Sequence, residues 1–341
     1  VKPLPLPEFV DLLAAPLRSA EASAALGAPL VLVDLTGPAG AVLAEAETEA
    51  TAEAAAGLSA VIVGVAPGDG PGAVAAGAAA LVDVVVADPG PVAAMVEASP
   101  RAAVTLALTL RAAPVLGLAA GLAAESAAYS MLQAGPEFAR WRAATPRRDP
   151  ASPAGTGPPA EPPVRVERAG DELRVTLNRP ARHNAVDTGL RDGLVEALLV
   201  ACADASVRRV VLDGAGPSFC SGGDLDEFGT GPDPATAHLV RLTRSPARLL
   251  ARLGPRLEVR LHGACIGAGI ELAAFAGRVV ARPDTVISLP EVGLGLIPGA
   301  GGTVSLPRRI GRHRTAELAL AGLRLDAATA LRWGLVDAVE P

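Results

Sequence analysis

The segment from Thr145 to Pro163, TPRRDPASPAGTGPPAEPP, sets the plan for the rest of the chain. It is dense in proline, which cannot donate a backbone hydrogen bond, and in glycine, which is costly to order. It also lacks apolar periodicity, so it cannot bury enough surface to fold by itself and reads as a linker. It separates an N-terminal unit, residues 1–144, from a C-terminal unit, residues 164–341. A chain of 341 residues is long enough for two such units.

Each unit alternates strand-like and helix-like segments. In the C-terminal unit Glu172–Asn178 (ELRVTLN) and Val207–Leu212 (VRRVVL) read as strands, and Thr188 to Ala203 has helical spacing. A helix is expected near Ala235–Arg252, and another strand at Leu257–Leu261. This alternation predicts an α/β fold with crossover connections. Half of the residues are hydrophobic but only 2% are aromatic, so packing must rest on Ala, Val and Leu. The N-terminal unit echoes the pattern. Pro29–Leu35 (PLVLVDL) parallels ELRVTLN, Leu58–Pro67 (LSAVIVGVAP) parallels VRRVVLDGAG, and Leu81–Val86 (LVDVVV) jumps ahead to match Leu335–Val339 (LVDAV). Helices are then expected at Gly90–Glu97, at Arg101–Ala112 and toward Gln133. The echo suggests an internal repeat whose first copy lacks the middle section.

The formal net charge is −6 and no basic run is present, which argues against a nucleic-acid surface. An anionic ligand remains compatible, because arginines and helix N-termini bind phosphates locally. Cys202, Cys220 and Cys265 show neither CxxC spacing nor a disulfide framework, as expected in a reducing compartment. The apolar run Ala112 to Ala124 is too short to span a bilayer, and no signal peptide is read at the start. A soluble cytoplasmic protein is the expectation.

Three segments of the C-terminal unit carry chemistry: SFCSGGDLDEF (Ser218–Phe228), LHGACIGAGIELAA (Leu261–Ala274) and SLPEVGLGLIPGAGGT (Ser288–Thr303). Glycines before a helix let peptide N–H groups approach a ligand closely, and the helix N-terminus adds positive partial charge. Two such groups converging on one carbonyl oxygen would form an oxyanion hole, which suits chemistry through an enolate. Glu271 and Glu291 stand in apolar company, where acids are rare unless paired or functional. Desolvation would raise their pKa values toward the range useful for proton transfer. A dinucleotide site does not fit, since no GxGxxG follows a first strand with an acid about 20 residues later. His238, His262 and His313 show neither ligand spacing nor a nucleophile partner, and no metal-ligand cluster appears. Cys220 and Cys265 read as packing residues.

Together, NRPARHNAV (Asn178–Val186), FCSGGDL, GACIGAGIELA, PEVGLGLIPGAGGT and GLVDAV cover nearly all of Val164 to Pro341. In this order and spacing the C-terminal unit resembles the enoyl-CoA hydratase/isomerase (crotonase) superfamily. The resemblance implies a crotonase-like ββα spiral fold and reversible hydration of a trans-2-enoyl-CoA. It places the oxyanion-hole N–H groups on Gly223 and Ala268, with Ala268 departing from the glycine common there. Glu271 and Glu291 fall on the hydratase glutamates, base and acid respectively. Arg182, His183 and Ala185, then Ser221, Asp224 and Leu225, fall where the family touches coenzyme A, here part of the substrate. No further cofactor, no metal and no membrane are implied, and a homotrimer or hexamer is. Two alternatives stay open: an enoyl-CoA isomerase of the same fold, and a non-catalytic acyl-CoA-binding scaffold. The family normally finishes with helices that close over the acyl-CoA. Glu125–Trp141 (ESAAYSMLQAGPEFARW), at the end of the first unit, looks like that ending. The N-terminal unit, a truncated copy without counterparts of Glu271 and Glu291, is therefore expected to be catalytically silent and to lend its helices, in cis or in trans.

Overall fold

A computed structural model describes residues 2–36, 45–68, 70, 72, 74–147 and 161–341. Residues 148–160, most of the expected linker, lie outside the described residues.

The N-terminal half is built on four short strands, β1 (Leu4–Pro5), β2 (Leu30–Asp34), β3 (Val61–Val65) and β4 (Val84–Val86), parallel and in that order across the sheet. The runs LVLVD, VIVGV and VVV are apolar at nearly every position because both sheet faces are covered. Val31, Val33, Ile62 and Val85 pack with Leu6, Phe9 and Leu12 of the helix Leu6–Ala14. On the other face, Leu32, Val61, Val63 and Val84 enter a core continuous with the C-terminal half.

That second half opens with a hairpin, β5 (Val164–Ala169) and β6 (Glu172–Leu177), followed by β7 (Arg209–Gly214) and β8 (Leu257–Leu261). Then come β9 (Ala264–Ile266), β10 (Arg278–Ala281), β11 (Val286–Ser288), β12 (Leu325–Asp326) and β13 (Ala338–Val339). The larger sheet runs β13-β10-β8-β7-β6-β5, parallel except at the hairpin, and a small sheet runs β12-β11-β9. On β6, Leu173, Val175 and Leu177 are buried while Glu172, Arg174 and Thr176 face outward. The helix Thr188–Ala203 covers the buried face with Leu190, Leu194 and Leu198, and Asp187 caps it by accepting from Leu190 N at 2.8 Å.

The echo between halves has a geometric counterpart. β2 and β3 are parallel neighbours, as β6 and β7 are. β4 then lies directly against β3, whereas β8 and β10 intervene between β7 and β13. One expected element differs. The helix read over Ala235–Arg252 is two helices, Pro234–Thr243 and Pro246–Leu253. Pro246 has no N–H to continue the ladder and forces Ser245 into an extended conformation (φ −88°, ψ 109°).

The halves are joined by more than apolar contact. Within the N-terminal half, Arg111 bridges to Asp83 at 2.6 Å with both side chains nearly inaccessible, and Arg312 of the C-terminal half approaches the same carboxylate at 3.8 Å. From the helix Gly302–Leu320, kinked at Gly311, Arg312 donates to Val82 O at 2.8 Å and His313 Nε2 meets Ala79 O at 2.8 Å. Among the described residues, no helix is long and apolar enough to cross a membrane.

Candidate active site

Glu271 projects from the short helix Ala268–Ala273, and Glu291 opens a turn, Glu291–Leu294, just after β11 and Pro290. Both are buried, 2% and 8% exposed, and both line a cavity of about 250 Å³. The backbone around them is shaped to let the carboxylates in. Gly267, which precedes the short helix, has φ +50°, and a Cβ there would overlap Glu291 Oε1. At Gly302 a Cβ would lie 2.6 Å from Glu271 Cγ.

The hydrogen bonds of the two acids differ. Glu271 Oε2 accepts from Ala300 N at 2.7 Å and from Gly302 N at 2.9 Å, which fixes the carboxylate plane. Glu291 Oε2 is buried without a partner. Burial pushes the Glu291 pKa up to about 7. It pushes Glu271 well above the usual carboxylate range, reinforced by the nearby Glu291 and Glu125, while the two amide donors oppose the shift. The acids interact closely enough in charge to titrate as a set rather than one by one.

Two backbone donors face the same cavity. Ala268 is the first residue of its helix, so its N–H has no intrahelical acceptor. The Gly223 N–H makes no hydrogen bond to a described residue, although its neighbours are tied down: Val186 N donates to Gly222 O at 2.8 Å and Asp224 N to Val186 O at 2.9 Å. Both residues line the cavity.

Of the other residues expected from the sequence, Asp224 lines the cavity, whereas Arg182, His183, Ala185, Ser221 and Leu225 are not among its lining residues. Ser221 N donates to His183 O at 2.9 Å, stitching the two loops together. Arg182 pairs with Asp226 at 2.9 Å, and Leu225 is 39% exposed. His183 and Asn184 both adopt left-handed backbone, φ +50° and +54°. Asn184, fully buried, holds that turn by accepting from Arg179 N and donating to Ala215 O and Ser218 O. The cysteines beside the site are buried, and burial pushes the Cys220 thiol up to about 12.

The N-terminal half supplies part of the wall. From the helix Leu118–Gln133, Glu125 accepts from Gly301 N at 2.7 Å and from Thr303 N at 2.8 Å and Thr303 Oγ1 at 2.7 Å. Burial raises its pKa to about 7 as well. Tyr129 lies against Gly299, and the Arg241 guanidinium sits 4.8 Å above its ring. From the helix Pro136–Ala144, Trp141 lies between Phe138 and Phe228, with ring centroids 5.6 and 6.2 Å away, and Arg142 donates to Leu225 O at 2.7 Å. Glu125 and Tyr129 were not singled out from the sequence. Leu122, Glu125, Ser126, Tyr129 and Ser130 fall on one helical face, and the fold buries that face.

Residues 171–341 match the family model described as enoyl-CoA hydratase/isomerase. Among curated relatives, a 2,3-dehydroadipyl-CoA hydratase of Escherichia coli is 38% identical over 176 residues, 52% of this chain and 68% of that protein. A 1,2-epoxyphenylacetyl-CoA isomerase of the same organism is 37% identical over 168 residues, covering 48% and 64%. A crystal structure of enoyl-CoA hydratase from Thermoplasma volcanium aligns at 34% identity and a TM-score of 0.48, over 53% of this chain and 72% of that one. The chain thus spans about two thirds of the length of these curated relatives.

Proposed function

Because this chain belongs to the enoyl-CoA hydratase/isomerase family, we propose that it adds water reversibly to a trans-2-enoyl-CoA, giving the 3-hydroxyacyl-CoA. The observation that carries the reading is one cavity lined by two buried carboxyls and two backbone N–H groups without protein acceptors. In this reading the thioester oxygen sits between Gly223 N and Ala268 N, which hold the negative charge that develops as the enolate forms. Glu271, whose Oε2 is held by two amides that favour the anion, keeps its other oxygen for water and takes a proton as water attacks the β-carbon. Glu291, with an unpartnered Oε2 and a pKa raised by burial to about 7, carries the proton delivered to the α-carbon. Each turnover leaves the proton of water on Glu271 and Glu291 ionised, so the starting state returns when a proton passes from Glu271 to Glu291, directly or through water. Coenzyme A enters as part of the substrate, and in this reading it contacts Arg182, His183, Ala185, Ser221, Asp224 and Leu225.

The N-terminal half is, in this reading, a catalytically silent partial copy whose last helices close the site. The contacts of Glu125, Tyr129, Phe138 and Arg142 with the C-terminal half support it. A second reading, enoyl-CoA isomerisation, is favoured by an enoyl-CoA isomerase/hydratase of Mycosarcoma maydis, 34% identical over 176 residues, and needs only one carboxyl to move a proton between carbons. The two are separated by following the enoyl-thioester ultraviolet absorbance of crotonyl-CoA beside Glu271→Gln and Glu291→Gln. Hydration predicts loss of absorbance, slowed by about 10²- to 10⁴-fold in each variant. A wild-type protein that leaves the absorbance unchanged, or a variant that turns over at the wild-type rate, is incompatible with the pair mechanism.

A further inference from the structure

The turn that holds Glu271 is gripped by two carboxylates rather than one. Its four successive N–H groups alternate: Ala300 N and Gly302 N donate to Glu271 Oε2, while Gly301 N and Thr303 N donate to Glu125 Oε1 and Oε2. The Thr303 hydroxyl adds a third bond to Glu125. Glu125 is 2% exposed and comes from the other half of the chain, 176 and 178 residues away from its partners. Both of its oxygens are spent on this turn, so it is aimed at the backbone and not at substrate.

We propose that Glu125 is a positioning residue for the reaction, a clamp from the N-terminal half that fixes the 300–303 turn and through it the orientation of Glu271. The inference rests on the hydration reading for its assay, but the geometry on which it stands does not depend on that reading. A turn with four consecutive donors pointing alternately to two sides needs an acceptor on each side. Glu271 satisfies one side and would tilt with the turn if the other were released. A catalytic group misplaced by about 1 Å can lose about 10²-fold in rate. The N-terminal half thus completes the site chemically and does more than cover it.

Glu125 also acts on Glu271 through charge. The titratable or charged groups around the pair are Glu291 from the turn after β11, Cys220 from the loop after β7, Tyr129 from the helix of Glu125, and Arg241 from the helix Pro234–Thr243. Glu291 and Glu125 both raise the pKa of Glu271, and Arg241 partly offsets Glu125 by lowering its own pKa. Removing the Glu125 charge therefore lets Glu271 ionise at lower pH. Loosened packing would admit water and lower the Glu271 pKa as well, so the titration is read together with hydrogen exchange at the turn.

The test uses the full chain with Glu125→Gln, and Thr303→Val as a milder variant that deletes only the hydroxyl bond. Turnover of crotonyl-CoA against pH is measured together with amide hydrogen exchange over residues 298–305. Glu125→Gln should lower kcat by about 10- to 100-fold with little change in KM. It should also move the acidic limb of the kcat/KM profile to lower pH and speed exchange at 300–303. Thr303→Val should show a smaller loss of kcat. Should Glu125→Gln fail to fold, Thr303→Val with unchanged exchange and unchanged kcat would overturn the clamp. A folded Glu125→Gln with wild-type kcat, pH profile and exchange would overturn it equally. An inactive wild-type protein would instead count against hydration, and faster exchange in the variant would still support the clamp.

Discussion

Replacing Glu291 by glutamine should stabilise the protein at alkaline pH while disabling it. Glu291 is 8% exposed, and its Oε2 makes no hydrogen bond. Its pKa rises from 4.5 to about 7 through burial. At about 1.4 kcal/mol per unit, ionising it in the folded chain costs on the order of 3 kcal/mol more than in the unfolded chain. Because the folded value is the higher one, the group's favourable contribution is complete below the unfolded pKa and is lost as pH rises through the folded pKa. Glutamine never ionises, and a neutral glutamate leaves the same atom unpaired. The two proteins should therefore match below pH 4.5, diverge as pH rises from 4.5 to 7, and differ by up to about 3 kcal/mol in the variant's favour above pH 7. For a chain of 341 residues, an unfolding entropy of about 2 cal/mol/K per residue turns this into roughly 4 °C of Tm. Thermal and urea unfolding of both proteins between pH 4.5 and 8 would measure it. A stability difference that does not vary with pH, or a wild-type protein that is the more stable at pH 8, would refute the reasoning.

Two further outcomes follow from close approach and from buried charge. Gly302→Ala places a Cβ 2.6 Å from Glu271 Cγ and 2.9 Å from Pro298 Cβ. It should cost about 1–3 kcal/mol in urea unfolding and should also lower kcat, because the atom displaced belongs to Glu271. Arg111→Met strands Asp83, 2% exposed, without the guanidinium that pairs with it at 2.6 Å. The expected loss is about 3–5 kcal/mol in the same assay, with much of it recovered when Asp83→Leu is added.

The chemistry of the C-terminal half was legible because its devices are local. Glu271 and Glu291 announced themselves as acids in apolar surroundings, and the glycines of GGDL and GAGIEL marked backbone that a ligand can approach. The strands of both halves were legible too, since β-branched runs such as VIVGV have one structural use in a covered parallel sheet. The helix break at Ser245 was missed because apolar spacing was allowed to outweigh Pro246, whose missing N–H decides the matter. Glu125 was missed for a different reason. Its partners lie 176 and 178 residues downstream, and an alanine-rich helix does not declare which face is buried. Only the fold shows that the polar stripe of that helix faces inward. Of the coenzyme A residues expected from the resemblance, only Asp224 lines the cavity, because loop residues are placed by their hydrogen-bonded neighbours and not by spacing.

The central claim is that this cavity adds the elements of water to an enoyl thioester. Incubating the purified chain with crotonyl-CoA in ¹⁸O-enriched water, and weighing the thioester product, tests it directly. The account predicts a 3-hydroxybutyryl-CoA that carries ¹⁸O at the β-carbon, with incorporation lost in both Glu271→Gln and Glu291→Gln. A product of unchanged mass with a migrated double bond, or no product at all, would contradict it.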